Sequence, residues 1–134
     1  MAFTLKIQDI VSEDYCYDYL RKIRWADGVS CPSCQSKEVS KNGGSPKQRY
    51  VCSSCNKNFD DLTSTIFSGS KLPFKSWILC LYFMGLNLSN AQIAKELEIS
   101  EPTIQHMTEK LREGIAEKKL VYVLATKLNS MKFI

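Results

Sequence analysis

Three features of the 134-residue sequence predict a small α+β fold. Two Cys-x-x-Cys pairs, Cys31–Cys34 and Cys52–Cys55, bracket a short β-hairpin pattern. Apolar residues recur at helical spacing ahead of the cysteines. They do so again in several stretches after Pro73. The chain divides accordingly into an N-terminal helical lead (1–28), a cysteine segment (29–62), a connector (63–73), a helical unit (74–117) and a tail (118–134).

In the lead, Ser12-Glu13-Asp14 reads as an N-cap with acids in the first helical turn, where they meet the positive end of the helix dipole. Cys16, Leu20 and Ile23 follow at spacings of four and three, with Tyr15 and Tyr19 beside them. This pattern predicts an amphipathic helix of about two to three turns. It ends near Trp25, before Asp27-Gly28. Cys16, like Cys80 further on, lies on an apolar stripe and reads as a small core residue.

Residues 29–62 are rich in Gly, Ser, Asn and Lys, and their obvious core formers are Val39, Tyr50, Val51 and Phe59. So little apolar surface cannot order about 30 residues by itself. Glu38–Lys41 and Gln48–Cys52 read as strands, joined by a turn through Asn42-Gly43-Gly44 and Ser45-Pro46. Each Cys-x-x-Cys turn sets two thiolates about one tetrahedral edge apart, and the hairpin returns the chain so that the two turns meet. The expected result is a zinc ribbon holding one structural Zn2+ through Cys31, Cys34, Cys52 and Cys55. Zinc then supplies the folding free energy that the side chains lack, and Lys37 and Lys57 beside the pairs offset the charge of the tetrathiolate. A redox dithiol accounts for one pair but not both, and it lacks a thioredoxin-like βαβ context. An iron–sulfur cluster also takes four cysteines, but the two-plus-two spacing around a hairpin favours zinc. Four protein ligands leave no open coordination position, so the metal is read as structural.

After the connector, Trp77, Leu81 and Met84 define one helical face, flanked by Ile78 and Tyr82. Ser89 or Asn90 caps a second helix, Ala91 to Leu97, which turns Ile93, Ala94 and Leu97 inward. A third helix begins after Glu98-Ile99-Ser100, with Pro102 near its first position and an apolar stripe of Ile104, Met107, Leu111 and Ile115. Together the three predict a helix-turn-helix unit, whose last helix enters the major groove. Glu101, Thr103, Gln105 and His106 are then the candidates for base contact, with Gln105 suited to adenine. Lys95, Lys110 and Arg112 fall nearer the phosphates, and Lys47 and Arg49 add ribbon cations. A plain three-helix bundle uses the same turn, and Glu101 and Glu109 keep that alternative open. The tail run Leu120-Val-Tyr-Val-Leu-Ala-Thr-Lys-Leu reads as a helix continuation or an oligomer contact.

Charge is consistent with a polyanionic partner. Residues 1–30 carry a net −1, residues 31–73 a net +3 and residues 74–134 a net +2, which make the overall +4. No run approaches the roughly 20 apolar residues that span a bilayer. Met1 to Ile10 lacks the order of a signal peptide, so an intracellular location on DNA is expected, without membrane or small-molecule partners. In that reducing setting six cysteines do not read as three disulfides.

In order, Ser12-Glu13-Asp14-Tyr15-Cys16, Tyr19-Leu20, Arg24-Trp25-Ala26-Asp27-Gly28 and Cys31-Pro-Ser-Cys34 resemble the N-terminal region of zinc-ribbon insertion-sequence transposases. Arg49-Tyr50-Val51-Cys52-Ser-Ser-Cys55 with Phe59, then Thr63-Ser-Thr65-Ile66-Phe67, Lys71-Leu72-Pro73 and Trp77, extend the resemblance over roughly residues 10–115. The resemblance implies recognition of the double-stranded terminal repeats of a mobile element. It also implies a following nuclease domain of the RNase H type, with acidic residues holding two metal ions. The sequence departs from that pattern after Arg112-Glu113-Gly114, since a separate nuclease domain needs on the order of 100 residues. Asp60-Asp61 and Glu96, Glu98 and Glu101 lie in the binding modules instead. The expectation is therefore the DNA-binding portion of a transposase, without its own nuclease and not an enzyme as it stands. The alternatives are a binding subunit whose nuclease is on another chain, and a zinc-stapled protein-interaction module.

Overall fold

The computed structural model describes residues 11–117 and 119–130. The segment Met1 to Ile10, Lys118 and the last four residues of the tail lie outside the described residues. Two compact units emerge, one spanning Glu13–Ser70 and the other containing the helices from Phe74 onward.

The first unit opens with α1 (Glu13–Arg24), which carries Glu13 and Asp14 in its first turn and Arg21, Lys22 and Arg24 in its last. Both ends therefore complement the helix dipole. Its buried arc is Cys16, Tyr17 and Leu20. Tyr15 is 52% exposed and Ile23 half-buried, so the inward face is rotated one residue from the expected stripe. Three antiparallel strands follow in the order β1 (Val39–Lys41), β2 (Arg49–Cys52) and β3 (Asn58–Asp60). Val39 faces Cys52, Lys41 faces Tyr50, and Tyr50 in turn faces Phe59. The sequence pattern gave only the first two strands. With three residues and one apolar side chain, β3 is too short to show alternation. It forms because the Cys52–Cys55 turn reverses the chain at once and lays it against β2. At the hairpin, Gly43 and Gly44 take positive φ, and a Cβ on Gly44 would stand 2.4 Å from the Lys47 carbonyl oxygen. No other residue fits there without moving the backbone.

The second unit is helical. Its central α2 (Phe74–Gly85) buries Phe74, Trp77 to Leu81 and Phe83. It packs against α3 (Asn90–Leu97), α4 (Glu101–Ala116) and α5 (Leu120–Ser130). Burial on nearly every side replaces the single face expected from Trp77, Leu81 and Met84, because partners lie around it rather than along one side. Ser89 caps α3 through a reciprocal pair: its Oγ accepts from the Gln92 amide at 3.2 Å, and Gln92 Oε1 accepts from the Ser89 amide at 2.8 Å. Glu98 ends α3 in the left-handed region, with φ 57°. Ile99, half-buried in the three-residue turn, leads into α4, whose buried positions are Ile104, Met107, Thr108, Leu111 and Gly114.

Among the described residues the helical unit holds four helices rather than the three expected, since part of the tail forms α5 against α2 and α4. Val121, Leu124 and Leu128 face inward, so most of the apolar run is used within the chain. Close approach of α5 to α4 depends on Gly114, where a Cβ would lie 2.8 Å from Val121 Cγ2. Within a helix, alanine ordinarily gains about 1 kcal/mol over glycine. Here the stiff β-branched valine cannot swing away, so overpacking reverses the sign. Gly114→Ala is expected to cost about 1–2 kcal/mol in urea unfolding, whereas in a Val121→Ala background the same change becomes neutral or stabilising. Equal effects in both backgrounds would refute the contact.

Candidate functional site

Both Cys-x-x-Cys turns fold by the same local rule. In the first, the Cys31 amide donates to the Ser36 carbonyl at 2.9 Å, and the Gln35 amide donates to the Cys31 carbonyl at 2.8 Å. In the second, the Cys52 amide donates to the Lys57 carbonyl at 3.0 Å, and the Asn56 amide to the Cys52 carbonyl at 2.8 Å. Gln35 and Asn56 take left-handed φ of 59° and 62°, which closes each loop. Asparagine tolerates that conformation well; glutamine less so. The two turns are therefore near-copies, and each points its thiols to the same place.

All four sulfurs lie within 4.8 Å of one another. Cys31 Sγ is 3.6 Å from Cys55 Sγ, and Cys34 Sγ is 3.5 Å from Cys52 Sγ. A tetrahedron with Zn–S bonds of about 2.3 Å has edges of about 3.8 Å. The quartet thus has the dimensions of a ZnS4 site, with Cys31 and Cys52 buried, Cys55 half-buried and Cys34 exposed. Local amides prepare part of the charge. The Cys55 amide lowers the Cys52 thiol to about 6, and the Cys34 amide lowers Cys31. At Cys34 the Ser36 amide also pulls downward, but the hydrogen bond to Cys52, burial and the other two sulfurs outweigh it and raise the thiol to about 12. Cys31 and Cys52 ionise readily and Cys34 resists, so a divalent cation is what allows all four to be thiolates together. The Lys37 ammonium donates to the Asp27 carbonyl at 2.9 Å.

Beneath the quartet, Cys31, Tyr50, Cys52 and Phe59 form a small core, closed by Trp25, Val29, Val39 and Cys55. Trp25 meets Tyr50 edge-on at 6.1 Å and Phe59 at 6.2 Å, while Tyr50 stacks on Phe59 at 5.2 Å. The end of α1 is thus part of the ribbon's own core. It is locked there by Asp61, which is fully buried. One carboxylate oxygen accepts from Tyr50 Oη at 2.7 Å and Trp25 Nε1 at 3.1 Å. The other accepts from Arg21 Nη1 and the Gln48 amide, each at 2.8 Å. Arg24 lies over the Trp25 ring at 4.4 Å and donates to the Asp61 and Thr63 carbonyls. Burial lowers the Arg24 pKa, and burial followed by the Asp61 hydrogen bond raises that of Tyr50. Sequence reasoning missed this network. The available signal was an acid, Asp61, set between Phe59 and Leu62.

Elsewhere the expected nucleic-acid residues occupy two regions. On the first unit, Arg49 is exposed on β2, and half-buried Lys47 pairs with Asp60 at 3.6 Å. On the second, Lys95 is exposed on α3, and Glu101, Gln105, His106, Lys110 and Arg112 are exposed on α4. Thr103 is half-buried, its hydroxyl 2.8 Å from that of Ser100, and Gln105 Nε2 donates to Glu109 Oε1 at 3.4 Å. Among the described residues, no helix is long and apolar enough to cross a membrane.

Residues 11–58 match the family model of the transposase zinc-ribbon domain. Over 113 residues the chain is 34% identical to an uncharacterized protein in transposable element ISH50 of Halobacterium salinarum. That alignment takes in 83% of this chain and 38% of the relative, so the chain spans well under half the relative's length. No solved structure matches the chain. The resemblance to zinc-ribbon insertion-sequence transposases therefore holds, and the cysteine quartet is the zinc site of that ribbon.

Two outcomes follow from this geometry. Cys52→Ser should abolish stoichiometric zinc in the purified protein and unfold the Glu13–Ser70 unit, because ligand loss removes folding free energy; full zinc content by mass spectrometry would contradict the ligand set. Asp61→Ala should destabilise the same unit by about 2–3 kcal/mol, since it takes the acceptor from Trp25 Nε1 and the Gln48 amide and leaves Arg21 with only its exposed pair to Asp18 and the Pro46 carbonyl. A change under about 1 kcal/mol in denaturant melts followed by tryptophan fluorescence would rule out that role.

Proposed function

We propose that this chain is the DNA-binding portion of a transposase, recognising the double-stranded terminal repeats of a mobile element. The observation that carries the reading is the arrangement of α3 and α4. A three-residue turn joins them, and Ile104, Met107 and Leu111 fix α4 inward while Glu101, Gln105 and His106 stand exposed near its start. Used as a helix-turn-helix, that face enters the major groove. Gln105 then pairs with adenine, Thr103 touches a thymine methyl or a phosphate, and Glu101 and His106 flank them. Lys95, Lys110 and Arg112 meet phosphates, as does the ribbon cation Lys47, and Arg49 adds a second cation to the DNA-facing side of the ribbon. The transposase zinc-ribbon match and the relative within a transposable element support the same reading.

In this reading the chain binds and the zinc holds shape, while cutting and joining belong to a nuclease elsewhere. The relative's greater length favours a transposase in which that nuclease accompanies these modules. Terminal-repeat duplexes test both parts. Binding should weaken steeply with salt, as phosphate contacts require. Gln105→Ala should relax sequence preference more than it lowers affinity for a generic duplex, and a uniform loss over all sequences would argue against base readout. Incubation of the chain with magnesium should leave the DNA intact; metal-dependent cleavage would overturn the binding-only assignment.

A further inference from the structure

The solvent face of the ribbon sheet is shaped for more than phosphate contact. Opposite residues of an antiparallel pair share a face. The register therefore sets Ser40, Val51 and Asn58 in one row, and Arg49 beside Asp60 in the next. Asn42 extends the second row, since its amide donates to the Arg49 carbonyl at 2.8 Å. The inward row, Tyr50 with Phe59, belongs to the core. Asn42, Arg49, Asn58, Asp60 and Thr63, together with Tyr50 and Phe59, line an open cavity of about 330 Å³ at this end of the sheet.

The donor set decides what the cavity takes. Asn42, Arg49 and Asn58 are exposed, and Arg49 has no ion-pair partner among the described residues. The Asp60 carboxylate is already engaged, accepting from the Leu62 amide at 2.8 Å and the Thr63 hydroxyl at 3.2 Å and pairing with Lys47 at 3.6 Å. With Asp60 committed to the loop and to Lys47, the groups left to meet a ligand are the two amides and the guanidinium. Each side-chain amide offers a donor and an acceptor side by side, which is the pattern that matches base edges. Guanidinium suits guanine O6 and N7, and asparagine suits adenine. A β-ribbon fits the major groove as a helix does.

We infer that this sheet face reads base edges in the major groove of duplex DNA, through Asn42, Arg49 and Asn58, as a second sequence-reading surface. The inference rests on the proposed DNA-binding role and adds to it a ribbon that specifies bases as well as positioning the protein.

Selection of preferred sites from a randomised duplex pool with the full zinc-loaded chain tests it. Wild type should select two blocks of sequence. Asn58→Ala and Asn42→Ala, both at exposed positions, should each lower discrimination within one block by roughly tenfold. They should leave the other block, zinc content and affinity for a generic duplex within about twofold. Gln105→Ala should do the converse. If both asparagine variants keep every preference, or lose affinity uniformly over all sequences, the ribbon reads no bases and the inference fails while α4 readout stands. Stronger competition by single-stranded DNA than by duplex would also overturn it. No selectable binding by wild type would remove the DNA-binding reading itself.

Discussion

Two turns separated by residues 35–51 are required to bring four sulfurs within 4.8 Å, and the first unit is organised around that requirement. The segment between them has few apolar side chains, and a two-stranded ribbon of such composition is marginal in water. Metal ligation replaces the missing hydrophobic free energy, but only if the thiols converge without strain. The repeated hydrogen-bond pattern of the two turns provides that convergence from local backbone alone. Once the second turn closes, β3 must run beside β2, and Tyr50 and Phe59 meet as a consequence. The aromatic core is in this sense downstream of the sulfur geometry.

Asp61 performs the complementary task. A buried carboxylate is tolerated only when its oxygens are fully engaged, and here four donors from α1, β2 and the hairpin loop converge on it. Trp25 joins both systems, packing on the ribbon core and donating to the carboxylate. The helix thus belongs to the ribbon unit by specific polar contacts as well as by burial. The family match beginning at residue 11 spans α1 and the ribbon together, in keeping with a single folding piece.

Much of this was legible in the residues themselves. Spacing alone identified the four cysteines, because a tetrahedral site constrains both the separation within each pair and the return between them. The choice of Ser89 or Asn90, Pro102 and the Ile104–Met107–Leu111 stripe marked the caps and inward face of α3 and α4, where local chemistry and 3.6-residue periodicity agree. What escaped notice was non-local or too short to be periodic. β3 has three residues, Asp61 finds its partners up to 40 positions away, and Tyr17 rather than Tyr15 turns inward because a one-residue rotation is invisible in so short a helix. The separate α5 was hidden because an apolar tail run fits continuation, association or a new helix equally well. Contacts with nucleic acid leave a fainter trace, since a polar side chain that reads a base and one that only meets water look alike in sequence.

The packing of α5 has a practical meaning for moving these modules between proteins. Grafting the α3–α4 pair onto another scaffold with a cut at the end of α4 would strip the cover from Val121, Leu124 and Leu128's neighbours on α2 and α4. Each of those three side chains contributes on the order of 1.5–3 kcal/mol when fully buried, comparable with the whole stability of a domain this small. The smallest portable piece therefore includes α5 and keeps Gly114 as its hinge of close approach. A designer who trims to α3 and α4 would transplant a surface without the support that gives it a fixed shape.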